Sequence, residues 1–590
     1  MTEPEPQIPP TEPLYVRHAT LLSIALIAAA YCAIYLPTLG FPFLWDDRML
    51  IVQNVHIADL DNLPMAFTGH YLEIIKESSR LSPYYRPISL SVLFLEYHLF
   101  GDGSAIGYHL IHFFLHLMSG ILLFFITRYL IDHFTVQPAQ KIRNLGGIAA
   151  SLLFLLLPYT VDAVLFLTDL GDLMVLWFSL LSLILLEKHF RSRALLPAVG
   201  LFLFAAITFG SKETGLALIP LGILWWLLRR PHVPVIRTIA PAAVLVSAAG
   251  IYLIAREHAL AAVPTFSLKQ ALLRFPADFA TALRWAVLPH PLSLREDLAG
   301  QGFGAWWWTG AALIGIVFAA VVILWKRNRI AAGLILAFCA TISPSLLGLQ
   351  YASSFDPRYL YVPGAFLSIG AGIAIVHLSP LLRYAFVPLL ASLLLLTLIR
   401  IHAWSDNYAF WKLEYERQPD HALSVFNFGV ANEEKKNIPA ARALYAEAAR
   451  LAEQQNDRIY ASYANHRIGY LLDTLFQNKT EALRYYEKAV RSDPTARIWI
   501  SIGNIHVTDS SFEKALAAYQ KAEVLDTDSY IVHISLANAL TGLKRFDEAL
   551  AHMEQARRML SPDDERMKAF ERRRQMILDY RRRVEGQNKP

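Results

Sequence analysis

Residues 19–48 read ATLLSIALIAAAYCAIYLPTLGFPFLWDDR, an uncharged apolar run of about 20 residues that leads into two adjacent aspartates, Asp46 and Asp47, and then Arg48. A helix of about 20 residues is about 30 Å long, the thickness of the hydrocarbon core of a bilayer. The run is too long for the apolar core of a signal peptide, and Tyr31 before Cys32 spoils a lipoprotein-type cleavage site. It therefore reads as an uncleaved first membrane span.

Comparable runs recur at 107–130, 145–160, 171–188, 195–210, 215–229, 238–255, 306–325, 331–348, 360–379 and 384–402, which with 19–38 predict eleven spans. Composition agrees: hydrophobic residues make up 55% of the chain and charged residues 17%, a surplus that lipid must absorb. The net charge of +5 is small for 590 residues and comes from loop arginines and an Arg-rich end, so nucleic acid is not an expected partner. Cys32 and Cys339 both lie inside apolar runs, which leaves no disulfide framework and no thiolate metal site.

Orientation follows from the basic residues of the short loops. Arg17, Arg128, Lys141, Arg143, Lys188, Arg191, Arg193, Arg229, Arg230, Arg237, Lys326, Arg327, Arg329 and Arg383 fall on one side, which is therefore cytoplasmic. The opposite side carries the two long segments 39–106 and 256–305, with 87–101 and 270–288 expected as amphipathic helices on the membrane surface. The triplet Trp306-Trp307-Trp308 is expected to anchor the next span at the interface.

After Trp404 the chain becomes polar and repetitive. The pair Phe428-Gly429 recurs as Ile468-Gly469, Ile502-Gly503 and Leu536-Ala537, the last two intervals being 34 residues each. Matching positions follow each pair, among them Ala441, Tyr445 and Ala448, then Ala482, Tyr486 and Ala489, then Ala515, Tyr519 and Ala522. A 34-residue period with a small residue where two helices touch is the tetratricopeptide-repeat (TPR) pattern, in which helix pairs bury their faces by stacking. The predicted organisation is an all-α chain: a tail at 1–18, a membrane domain at 19–403, about four TPR repeats at 404–570, and a basic tail at 571–590. With an odd number of spans and the N-terminus inside, the TPR domain lies on the extracytoplasmic face.

The chemistry-bearing residues gather on that same face. Asp46 and Asp47 follow the first span, and carboxylates so close to a bilayer are expensive unless they bind a cation, a sugar hydroxyl or a basic group. Asp162, Asp169 and Asp172 lie between the third and fourth spans, Lys212 and Glu213 between the fifth and sixth, and Arg358 ahead of the tenth. Carboxylates mixed with cations suit transfer from a phosphate-linked donor, the carboxylate taking the acceptor's proton and Arg or Lys stabilising the phosphate that leaves. Solvated loop charges paired with one another are the competing explanation. His109, His112 and His116 share a helix face and are either ligands or, more commonly in such places, hydrogen-bonded between packed helices. No Gly-rich phosphate loop, zinc spacing or nucleophilic-serine elbow is present.

The order of these features resembles the TMTC-type (transmembrane and tetratricopeptide) protein O-mannosyltransferases and their bacterial relatives, membrane glycosyltransferases of the GT-C fold. The segments that carry the resemblance are Trp45-Asp46-Asp47, Tyr85-Arg86-Pro87-Ile88, the stretch Pro158 to Asp172, Ser211-Lys212-Glu213, Leu288-Pro289-His290-Pro291-Leu292 and Arg358-Tyr359-Leu360-Tyr361-Val362-Pro363. It departs from the family where His-Pro-x-His is usual, having Leu157-Pro158-Tyr159-Thr160, with Asp162 in place of Glu and Leu170 where a basic residue is common. The resemblance implies a polyprenyl-phosphate sugar as donor, Asp46 and Asp47 as catalytic residues or holders of a divalent cation such as Mg or Mn, and Arg358 with Lys212 as phosphate contacts. It makes Arg86, Asp162, Asp172, Glu213 and His290 further site candidates, and a protein acceptor in the TPR groove the expected partner. A bacterial inner membrane with a periplasmic TPR domain, or an endoplasmic-reticulum membrane, would be the setting. Two rivals stay open: an oligosaccharide transferase using a polyprenyl-diphosphate donor, and a non-catalytic membrane-anchored scaffold.

Overall fold

The structure is a computed structural model that describes residues 14–54, 56–69, 71, 84–134, 140–192, 194–230, 233–260, 267–293, 296–297, 304–352, 354–527, 529–560 and 566–587. It divides into two compact units, Met1–Ala409 and Phe410–Pro590. Residues 1–13 of the expected tail lie outside the described residues.

Among the described residues of the first unit, eight helices are long and apolar enough to cross a bilayer, and the protein is an integral membrane protein. The remaining three expected spans are bent or shorter helices. The run 145–160 is a helix pair, α1 (Gln140–Leu155) and α2 (Pro158–Leu165), bent by 62°. Pro158 lacks an N–H and disfavours the helical region for the residue before it, and Leu157 is accordingly extended, at φ −72° and ψ 122°. The runs 195–210 and 215–229 are shorter helices, Leu195–Ser211 and Leu218–Arg229, joined by a 3-10 turn at Glu213–Ala217. That turn carries Glu213 and follows directly on Lys212.

Burial separates the spans by role. In Leu167–Ser192 some 72% of the span is buried, whereas in Ala305–Arg327 the share is 6%, so the first is the core of the unit and the second is left for lipid. The central helix, α3 (Gly171–Ser192), is about 33 Å long, and polar groups concentrate at both its ends. At the end nearer Ser192, Glu187 binds Arg191, Arg229, the Tyr129 hydroxyl and the Trp225 indole. At the other end lie Asp169 and Asp172.

The two segments expected on the membrane surface are helices, Pro87–Phe100 and Leu268–Val287, and each buries a face inside the unit. Leu90, Leu93 and Phe94 join Leu50, Ile51, Ile57 and Tyr108 in one apolar cluster, while Phe279, Ala282 and Trp285 join Phe338, Ile342 and Phe355 in another. A two-residue antiparallel strand, Glu296–Asp297, pairs with Ser354–Phe355 just before Arg358.

In the second unit the repeat is realised as four helix pairs: Ala422–Glu434 with Ile438–Gln454, Arg458–Thr474 with Lys479–Ser492, Ala496–Thr508 with α4 (Phe512–Leu525), and α5 (Tyr530–Gly542) with α6 (Phe546–Arg558). Tyr445, Tyr486 and Tyr519 are fully buried against the recurrent small residues. At Gly503 an added Cβ would lie within 2.7 Å of three atoms of the Tyr519 ring, which is why the position stays glycine. The expected basic tail is helical over its described residues. Met567–Gln587 is a helix that buries Phe570 and Ile577 in the last apolar cluster and leaves Arg572, Arg573, Arg574, Arg582 and Arg583 exposed.

Candidate active site

The site is built on the short loop after the first span, and its geometry begins with Trp45. Trp45 has φ 47°, a left-handed conformation that costs a non-glycine residue about 1 kcal/mol or more, and its ring stacks on Phe166 at 5.4 Å. Asp46 and Asp47 follow directly on that turn. Asp47 is buried, with Oδ1 accepting from the Thr168 N–H at 2.8 Å and Oδ2 from the Leu44 N–H at 3.4 Å. Burial pushes its carboxyl up to about 7, the hydrogen bonds from Thr168 and Leu44 act the other way, and neighbouring Asp46 adds to the rise. Asp46 is half-buried.

Thr168, which Asp47 grips, is followed by Asp169, the hub of the site. Asp169 accepts from Lys212 Nζ at 3.0 and 3.2 Å, pairs with Arg358 Nη1 at 3.1 Å, and lies 3.5 Å from Arg86 Nη1. Lys212 also donates to Asp172 at 2.6 Å, Arg86 Nε to Glu213 at 3.1 Å, and Arg358 Nε lies 2.9 Å from Asp356. Three cations and four carboxylates therefore form one continuous network, with Lys212, Asp169 and Asp172 almost fully buried. Aromatic faces wall it: Arg358 lies over Phe166 at 4.5 Å, on the ring that also stacks with Trp45, and Arg86 lies over Tyr84 at 4.6 Å. Tyr71 donates to the Thr168 carbonyl at 2.7 Å and lies within electrostatic reach of Arg86, Asp169, Asp46 and Asp47 together.

Local sequence explains the assembly. The chain passes from α2 into α3 through a 3-10 turn at Leu167–Asp169, and Gly171 then opens α3 where the end of the neighbouring helix comes close. A Cβ on Gly171 would stand 2.8 Å from the Ser211 carbonyl oxygen and 3.3 Å from Lys212 Cβ, so only glycine lets Lys212 reach both aspartates. Asp172 sits in the first turn of α3, where a carboxylate is also favoured by the helix dipole. Asp356 caps the turn that carries Arg358 by accepting from its N–H at 3.1 Å.

Of the residues singled out from sequence, Lys212, Arg358, Arg86, Asp172 and Glu213 come together around Asp169, with Asp46 and Asp47 on the adjoining loop. Asp162 does something else: Arg400 grips it at 2.7 and 3.0 Å and Trp404 donates to it at 2.8 Å, so this carboxylate fastens α2 to the last span. His290 is exposed. Two of the three histidines are bonded between helices, His112 with the Val164 carbonyl and His116 with the Tyr361 hydroxyl, while His109 bonds the Phe41 carbonyl in the loop after the first span. Each oxygen of Asp47 accepts one backbone N–H, from Thr168 and from Leu44, which leaves each a second lone pair. Among the described residues, no third histidine, cysteine or carboxylate joins Asp46 and Asp47 in a metal-sized group.

Sequence reasoning missed Asp356, Tyr71 and Glu96. Glu96 is buried, and neither of its carboxyl oxygens has a hydrogen-bond partner among the described residues; burial, with Asp47 adding, holds its carboxyl well above the usual range. The only signal in the sequence was an acidic residue inside an otherwise apolar helix.

The tetratricopeptide-repeat family matches residues 476–530. A protein O-mannosyl-transferase of Caenorhabditis elegans is 28% identical over 206 residues, covering 34% of this chain and 27% of the relative. The Drosophila melanogaster protein O-mannosyl-transferase Tmtc1 is 26% identical over 199 residues, covering 34% of this chain and 22% of the relative. The matched region thus spans about a quarter of the length of these curated relatives.

Proposed function

We propose, from the premise that this chain is a TMTC-like protein, that it is a membrane glycosyltransferase moving a sugar from a polyprenyl-phosphate donor to a hydroxyl of an extracytoplasmic acceptor. The observation that carries the reading is the convergence of Arg358, Arg86 and Lys212 on Asp169, beside the loop that presents Asp46. Asp46 takes the proton of the acceptor hydroxyl as its oxygen attacks C1 of the sugar. The bond from C1 to the phosphate oxygen breaks, the configuration at C1 inverts, and the polyprenyl phosphate leaves as an anion.

Arg358 and Arg86 meet that anion, because a guanidinium already paired on one edge can offer its other N–H groups to phosphate. Lys212 directs its ammonium at Asp169 and Asp172, so we assign it the positioning of Asp169, with phosphate contact only if one of those bonds opens. Asp47 holds the loop to Thr168 and keeps Asp46 in place. The TPR unit would capture a protein acceptor on its extended surface. The setting is a bacterial inner membrane with the TPR unit periplasmic.

Transfer in isolated membranes tests this reading. Asp46→Asn and Arg358→Ala should each lower transfer by at least about a hundredfold while the protein still accumulates. Unchanged transfer in Asp46→Asn overturns the assignment. Deletion should accumulate a polyprenyl-phosphate sugar; an accumulated oligosaccharide diphosphate would indicate the ligase reaction, and no accumulated lipid with no lost glycan would indicate a scaffold.

A further inference from the structure

In the TPR unit, three ligating side chains from three successive helices meet at one point. Glu523 stands on the last turn of α4, His533 on the first turn of α5 and His552 in the middle of α6. His533 Nδ1 lies 3.1 Å from His552 Nδ1 and 3.6 Å from Glu523 Oε1, and His552 Nδ1 lies 3.9 Å from the same oxygen. The point equidistant from these three atoms is about 2.1 Å from each, the length of a zinc–imidazole or zinc–carboxylate bond.

Two further observations favour a cation there. His533 Nε2 lies 3.2 Å from the Thr527 carbonyl oxygen, to which it donates, so its lone pair is on Nδ1 and faces the meeting point; metal-bound histidines are commonly oriented in this way. One repeat earlier, the positions 34 residues before His533 and His552 are Trp499 and Ala518, both part of apolar packing. The histidines thus replace apolar residues at a repeat junction where packing alone would suffice.

We propose that Glu523, His533 and His552 bind a divalent transition-metal ion, zinc foremost. The set of two imidazoles and one carboxylate leaves one tetrahedral position open, and Glu523 and His533 line a cavity of about 360 Å³ together with Thr527, Gln555, Arg558 and Met559. The ion ties the third repeat to the fourth, because α4 belongs to one and α5 and α6 to the other. Its binding energy therefore adds to the stability of the solenoid's C-terminal end.

The test uses the full-length protein in detergent, purified through an affinity tag without histidines and stripped with a chelator. Titrated with zinc, the wild type should bind one equivalent, and cobalt in its place should give the visible absorption of a tetrahedral site. His552→Ala and Glu523→Gln should each weaken binding by more than about a hundredfold. Glu523→Gln, at a half-buried position, keeps the test valid if removing His552 disturbs folding, and circular dichroism verifies both. No stoichiometric binding by the wild type, or equal binding by both variants, overturns the proposal and leaves a hydrogen-bonded histidine pair. Failure here would leave the glycosyltransferase reading untouched, since that assay reads Asp46.

Discussion

Lys212→Met is the sharpest test of the buried network. The substitution keeps the length of the side chain and removes an ammonium that contacts Asp169 at 3.0 and 3.2 Å and Asp172 at 2.6 Å, all three groups being almost fully buried. Asp169 keeps Arg358 and Arg86, whereas Asp172 loses its cation, so the penalty falls mainly on Asp172. Removing one partner of a buried ion pair costs about 3–5 kcal/mol, because a desolvated charge is left behind. For the unit Met1–Ala409, with an unfolding entropy of about 2.1 cal/mol/K per residue, that is a fall in Tm of about 3–6 °C. Thermal unfolding of the detergent-solubilised protein, followed by intrinsic fluorescence, reads the shift. Adding Asp172→Asn to Lys212→Met should restore at least half of the loss, since the stranded charge is then gone. A Tm for Lys212→Met within about 1 °C of the wild type, or no recovery in the double variant, would falsify the account of Lys212 as the ion that holds this network together.

Asp47 gives a pH signature. Its carboxyl, pushed up to about 7 by burial, binds a proton in the folded state that the unfolded chain has already lost, so its contribution to stability declines as pH rises from about 4 to about 7. Asp47→Asn should flatten the fall in Tm across that window, and parallel pH profiles for the two proteins would contradict it. Gly171→Ala places a methyl 2.8 Å from the Ser211 carbonyl oxygen, so a loss of about 1–3 kcal/mol and weakened transfer are expected, read by Tm and by the membrane assay. Asp162→Ala should lower Tm by stranding Arg400, while the Asp46-dependent chemistry in the protein that still folds keeps its pH profile; a changed profile would return Asp162 to the reacting centre. A reporter fused after Gln587 should be active only outside the cytoplasm, and cytoplasmic activity would reverse the orientation read from the loop arginines.

Local pattern was enough for the large architecture. Apolar runs of bilayer length announce spans because a backbone in lipid must satisfy its own hydrogen bonds, and the 34-residue recurrence announces stacked helix pairs because each repeat is too small to bury its own face. Ser211-Lys212-Glu213 and Arg358-Tyr359 marked charged residues in places where charge is costly, which made them legible as site candidates without any structure. Tertiary structure alone decided which charges share a partner. Asp162 and Asp169 look alike in sequence and are seven positions apart, yet the 3-10 turn at Leu167–Asp169 carries one into the network with Lys212 and Arg358 and leaves the other on Arg400. The same holds for Glu523, His533 and His552, scattered over 30 residues and brought within ligand distance only when three helices stack. Periodicity reports which face a residue takes on its own element, but an ion pair or a metal site depends on distances between elements, and those distances are fixed by packing.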